Sequence, residues 1–211
     1  MIEIRHRDMG SVLTSVDAES LCGADLAGQD LDCAVLADQA LADANLSRCG
    51  LRRADLRHAN LVGANLSGAD LSHANLVGAD LTGANLDDAV LNFTHLVGAT
   101  LAGASLKRVD ARGADLRANL RGAHLEQAKL ARANLTGADL TGAVLAGADL
   151  SRAIVNRARL EGADLRDTLL YRSPLPRGAQ PPLRGEHQGG GVRTTYAKKS
   201  DKRRPWWQFW R

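Results

Sequence analysis

Leucine recurs at every fifth residue from Leu21 to Leu106. Ala111 and Leu116 keep that spacing, one residue drops out at Arg117-Ala118-Asn119, and the rhythm resumes at Leu120 and runs to Leu170, with Val155 once in place of leucine. There are 20 such centres before the missing residue and 11 after it, 31 in all. Two residues before the centre Ala nearly always stands, as at 54, 59, 64, 69, 74, 79, 84 and 89; Gln29, Gln39, Cys49, Thr94, Val109 and Thr168 are among the exceptions. The residue just before the centre is usually Asp or Asn, and the unit often ends in Gly.

A period of five excludes the two common elements. On an α-helix each step of five would turn the leucine by about 140°, so the leucines would share no face. On one long strand alternate leucines would point to opposite sides. Frequent Gly costs a helix about 1 kcal/mol each relative to Ala. A chain that bends once per unit resolves the conflict. Leu and the Ala two before it point inward, Asp or Asn and the two residues after the centre point outward, and Gly, Asn and Asp form the bends. Successive coils then pair as a parallel ladder about 4.8 Å apart. Bulk comes from Leu and Ala, because aromatic residues make up only 3% of the chain.

Residues 69–88 read Ala-Asp-Leu-Ser-His-Ala-Asn-Leu-Val-Gly-Ala-Asp-Leu-Thr-Gly-Ala-Asn-Leu-Asp-Asp. This tandem pattern resembles the pentapeptide-repeat family. The resemblance implies an all-β fold, a right-handed quadrilateral parallel β-helix with four units per coil. Thirty-one units would make just under eight coils, about 35–40 Å long. The missing residue near 117–119 is expected to be a kink or a tightened corner.

Three regions are expected: an N-terminal β-hairpin cap at 1–20, the β-helix at 21–171, and a flexible tail at 172–211. Residues 2–7 alternate apolar and polar, 11–16 read Ser-Val-Leu-Thr-Ser-Val, and Asp8-Met9-Gly10 lies between, which is a hairpin pattern. It is similar to the leader before the repeats of some bacterial and phage members. Leu169, Leu170 and Tyr171, ahead of Pro174 and Pro176, are the candidates for a C-terminal cap. The Pro- and Gly-rich stretch that follows reads as a disordered linker. It ends in Lys202-Arg203-Arg204-Pro205-Trp206-Trp207-Gln208-Phe209-Trp210-Arg211, which holds every tryptophan of the chain.

The net charge of +3 is unevenly spread: −2 over residues 1–20, −3 over 21–171 and +8 over 172–211. Arg203, Arg204, Trp206, Trp207, Phe209 and Trp210 are therefore candidates for contact with an anionic membrane surface or a protein partner. Folding back onto the open end of the solenoid, or self-association there as a homodimer, is the structural alternative. Cys22, Cys33 and Cys49 fit no zinc spacing and read as small wall residues. The first residues carry no apolar signal core, and no apolar run reaches the roughly 18 residues of a membrane span, so a cytoplasmic protein, or one peripheral to the membrane, is expected.

With four units per coil, one face collects Arg52, Arg53, Phe93, Arg112, Arg132 and Arg152, and the neighbouring corner adds Arg57. These are the candidate binding residues of the body. Asp55, Asp70, Asp110, Asp115 and Asp149 lie nearby, so the same arginines also read as an ordinary solvated wall. No catalytic motif is present, the histidines stand at unrelated outward positions, and neither cofactor nor metal is expected. The expected function is a noncatalytic scaffold or protein-interaction module with an unknown protein partner. Nucleic acid is not the expected partner. The resemblance also implies an alternative, a DNA mimic that binds DNA gyrase or another topoisomerase and protects it from toxins or quinolones. Such a mimic needs about one negative charge per 1.7 Å of axis, far above a body of −3.

Overall fold

The computed structural model describes residues 1–173. From residue 21 the chain coils so that each residue before a leucine pairs in parallel with the one 20 positions on, as in Asp30↔Gly50, Gly50↔Asp70 and Asp70↔Val90. Four five-residue units thus make one coil.

The unit Leu71–Asn75 shows why the pattern folds this way. Leu71 N–H donates to Val90 O at 2.7 Å and His73 N–H to Asn92 O at 3.0 Å, both in the next coil. Asn75 N–H donates back to Ala54 O at 2.9 Å, and Ala74 N–H closes the bend onto Leu71 O at 2.9 Å. The remaining donor, Ser72 N–H, goes to the side chain of Asp70 at 3.0 Å. All five N–H groups are satisfied, as burial against a dry core demands.

The Asp or Asn before the leucine therefore has a definite task. It accepts the N–H two residues on, an Asx turn. Asn75 does this for Val77 at 3.2 Å, Asp80 for Thr82 at 2.9 Å and Asn134 for Thr136 at 3.1 Å. At two positions that are not Asx, Gly50 and Ser105, a neighbouring coil supplies the acceptor: Arg52 N–H goes to Asp32 at 2.8 Å and Lys107 N–H to Asp87 at 3.0 Å. The second residue after each centre except Leu116 has positive φ, +61° at His73, as the second central position of a type II turn requires.

The interior is filled. Leu61, Leu66, Leu71 and Leu76, with Ala64, Ala69 and Ala74, have no exposed surface. Each fully buried leucine contributes about 1.5–3 kcal/mol of transfer free energy. Three exceptions in the alanine position are buried in the same way. Cys49 Sγ, Thr94 Oγ1 and Thr168 Oγ1 each donate to a leucine carbonyl 23 residues earlier, at 2.9, 2.8 and 3.1 Å.

The missing residue at 117 is a tightened corner. Ala118 N–H bonds to Leu116 O at 2.8 Å, two residues back rather than the usual three, which closes a γ-turn. Pairing continues across it with a 19-residue step, Thr100↔Asn119 and Asp115↔Asn134, then returns to 20 with Asn119↔Asp139.

Strands β1 (Ile2–Arg5) and β2 (Val12–Val16) form an antiparallel hairpin with an irregularity between Ile4 and Arg5. β1 lies along the first coil: Val35 N–H donates to Arg5 O at 2.9 Å and Arg7 N–H to Cys33 O at 2.8 Å. Ile4 is 1% exposed, so the hairpin closes the apolar end of the core. At the other end Leu170 packs against the core, whereas Leu169 is 44% exposed and pairs with Asp149 instead of covering anything.

Candidate functional site

The corner residues carry the surface chemistry, and their two positions behave differently. An arginine directly after the centre is claimed by the Asp directly before it. Asp110 accepts Arg112 Nε at 2.8 Å and Nη2 at 2.7 Å, and Asp115 accepts Arg117 in the same two-pronged way at 2.7 and 2.6 Å. Asp55 and Asp164 hold Arg57 and Arg166 likewise. Arg52, with Gly50 in place of an Asp, reaches Asp32 at 2.6 Å in the neighbouring coil. The arginine hydrogen bond holds the carboxyl groups of Asp55, Asp115 and Asp164 below their ordinary value. At Asp110 burial pushes upward, and the Arg112 guanidinium outweighs it.

At the second position after the centre the pairing depends on neighbours: Arg108 reaches Asp88 of the adjoining coil at 2.7 Å, whereas Gly50, Lys129 and Leu169 stand before the centres of Arg53, Arg132 and Arg172, and only Arg152 has an Asp there. Arg53, Arg132, Arg152 and Arg172 are exposed and make no ion pair among the described residues. They belong to one column. His73 N–H bonds to Asn92 O, Phe93 N–H to Arg112 O, Gly113 N–H to Ala131 O, Arg132 N–H to Ser151 O and Arg152 N–H to Tyr171 O, so each lies over the next. From Arg53 to Arg172 the column is about 29 Å long at ~4.8 Å per coil.

Its middle is aromatic. The rings of His73 and Phe93 stack with centroids 5.3 Å apart and 13° between planes. Phe93 is 55% exposed and leans over Gly113, where a Cβ would meet Phe93 Cε1 at 2.7 Å. Arg172 lies over the Tyr171 ring at 5.3 Å.

Of the body residues expected to bind, Arg53, Phe93, Arg132 and Arg152 are thus brought together, with His73 and Arg172 added. Arg52, Arg57 and Arg112 lie on the same side but are neutralised. His73 is not an unrelated outward histidine, and its 20-residue separation from Phe93 was the sign of the stack. Arg203, Arg204, Trp206, Trp207, Phe209 and Trp210 lie outside the described residues. No group of three or more His, Cys, Asp or Glu among the described residues is arranged to hold a metal ion.

A comparison with curated protein sequences finds no match. Among solved structures the chain is similar to HetL, a pentapeptide-repeat protein involved in heterocyst differentiation regulation from the cyanobacterium Nostoc sp. strain PCC 7120. Identity is 36% over 76% of this chain and 86% of that one, with a TM-score of 0.47. It is also similar to the pentapeptide-repeat protein Rfr23 of the cyanobacterium Cyanothece 51142, at 34% identity over 52% of this chain and 63% of that one, TM-score 0.27. Full-length QnrB1, a plasmid-mediated fluoroquinolone resistance protein, matches at 17% identity over 76% and 90% of the two chains, TM-score 0.45. The family model for pentapeptide repeats matches in 8 copies, over residues 49–88, 84–117, 118–157 and 144–173. With the five-residue units, the coil-to-coil ladder and this match over more than half its length, the chain belongs to the pentapeptide-repeat family.

Proposed function

We propose that this protein is a noncatalytic protein-interaction scaffold, a right-handed, four-sided β-helix that holds outward side chains at fixed spacing. The observation that carries this reading is the solid interior: leucine and alanine fill every layer from Leu31 to Leu150 at 1% exposure or less apart from Ala118 at 7%. An enzyme needs a concave, water-excluding chamber, and this core leaves no room for one. The indentation beside Gly50 is shallow and open, and its Asp32 is already engaged with Arg52. Among the described residues no helix is long and apolar enough to cross a membrane.

The charge arrangement supports a scaffold over a DNA mimic. A mimic of duplex DNA of this length would present about 20 uncompensated negative charges. Here Asp55, Asp110, Asp115 and Asp164 are each paired with an arginine of their own corner.

Co-sedimentation of the full chain, and of a chain ending at Tyr171, with DNA gyrase and with anionic liposomes tests the reading. The expected result is that gyrase retains neither chain. Retention of both would overturn the scaffold reading in favour of the mimic. Liposome binding by the full chain alone would add a peripheral membrane role for the Trp- and Arg-rich tail.

A further inference from the structure

The second residue after each centre except Leu116 sits at positive φ, where any side chain costs about 1–2 kcal/mol and glycine costs none. The chain follows that preference on one corner. Along the column from Gly23 to Gly162 the only non-glycine is Asp43. Two corners further along each coil the preference is reversed. From Cys33 to Arg172 every member but Gly113 carries a side chain, at φ between +56° and +63°. The single glycine is the one that Phe93 lies across. Seven of the 16 side chains held at positive φ among the described residues stand in this column, against five, three and one in the other three, and backbone strain concentrates at surfaces used for contact.

We infer that this column is the docking line for an acidic protein segment that carries one apolar side chain. The inference rests on the scaffold reading and names its partner class. The charges choose the occupant. Arg132, Arg152 and Arg172 stand in consecutive coils without ion pairs among the described residues, and Arg and aromatic side chains are the groups that anchor protein interfaces. The aromatic pair stands apart, about 10 Å from Arg132 and about 19 Å from Arg172 at the ladder spacing. An extended peptide rising ~3.3 Å per residue would place carboxylates about three to six residues from an apolar anchor on Phe93.

A nucleic-acid strand suits the line less well. Its charge is uniform, whereas the column interrupts its cations with the His73–Phe93 stack, and Asp110 and Asp149 flank the line. A membrane is flat and would meet those carboxylates as well as the arginines.

The test uses the full chain and a fluorescein-labelled peptide of one Trp, two spacer residues and four Glu, read by fluorescence anisotropy at low and physiological salt. The variant R132G/R152G/R172G installs the residue the backbone prefers, so it should melt no lower than the parent. It is expected to bind at least tenfold more weakly, and Phe93→Gly at least threefold more weakly. The triple variant R57S/R117S/R166S removes the same charge from neutralised positions, where Asp–Ser pairs already occur at Asp70–Ser72. It should bind within twofold of the parent. Equal binding by the parent and the triple glycine variant overturns the proposal, as does an equal loss in the serine variant. Tighter binding of a 12-nucleotide oligo(dT), or of phosphatidylserine vesicles, through the same arginines overturns it in favour of that partner. Gyrase retention would instead sink the scaffold reading, so the two failures are distinguishable.

Discussion

Asp55 holds Arg57 at two levels. Its Oδ1 accepts the Arg57 backbone N–H at 3.3 Å, and its two oxygens accept Nε and Nη2 of the guanidinium at 2.7 and 2.6 Å. One carboxylate thus completes the hydrogen bonding of a turn and cancels the charge beside it. Asp164 does the same for Arg166.

Acid should loosen the solenoid through these pairs. The arginine hydrogen bond holds Asp55, Asp115 and Asp164 below the ordinary aspartate value of about 3.9. A folded-state value below the unfolded one adds stability that is present above about pH 4 and is lost as pH falls through the folded value. Solvent screens the exposed arginine side, so each pair contributes only weakly. The thermal midpoint is expected to hold between pH 7 and pH 5 and to fall by pH 3. The variant R57S/R117S/R166S should show a smaller fall.

Asn75 isolates the backbone cap from the ion pair, because its recipient Val77 has no charged side chain. Asn75→Ala is expected to cost about 1 kcal/mol, the usual value of a lost side-chain cap. Asn75→Asp should restore it. Urea denaturation measures both, and a loss near zero for the alanine variant would mean that water satisfies the Val77 N–H equally well.

Gly113 and Gly83 separate strain from contact. Both have positive φ, but a Cβ at Gly83 meets nothing within 4 Å, whereas at Gly113 it meets Phe93 at 2.7 Å. Ala at either site should cost about 1 kcal/mol from the backbone alone. Only Gly113→Ala should also displace Phe93, seen by NMR as loss of its ring-current shift on His73.

The thiols differ in access. Cys22 is exposed, Cys33 is half-buried and Cys49 is buried, with burial pushing the Cys49 thiol up. Iodoacetamide is expected to label Cys22 first and Cys49 only on unfolding, because the thiolate is the reactive form. Mass spectrometry of a labelling time course checks the order.

The ladder of leucines was legible because periodicity depends only on which side of the chain faces the core. The hairpin alternation at Ile2 and Ile4 was legible for the same reason, whereas in β2 Val12 is 45% exposed and Leu13 and Val16 pack against the core. The task of the residue before the leucine was not. Asp55 and Asn75 were read as turn formers facing water, since nothing in one unit shows that the fifth N–H lacks a backbone partner. The neutralisation of Arg57, Arg112, Arg117 and Arg166 was written in the chain as an Asp two residues earlier. Proximity along the chain was read only as general acidity near the arginines. The His73–Phe93 stack needed the coil length, and the lie of Phe93 across Gly113 needed the coordinates. Arg52 shows where local rules stop: its partner is Asp32, 20 residues back.

The tight turn at Leu116–Ala118 bears on how such a chain can change over generations. A single-codon deletion in most β proteins flips every later side chain to the wrong face. Here the damage is quarantined in one corner: Asp115 and Asn119, on either side of it, keep their partners in both adjoining coils. The price is one turn closed over two residues in place of three, with Ala118 left 7% exposed. A lineage built on this architecture can therefore lose a residue at a corner and keep everything downstream in phase, so its length need not change in multiples of five.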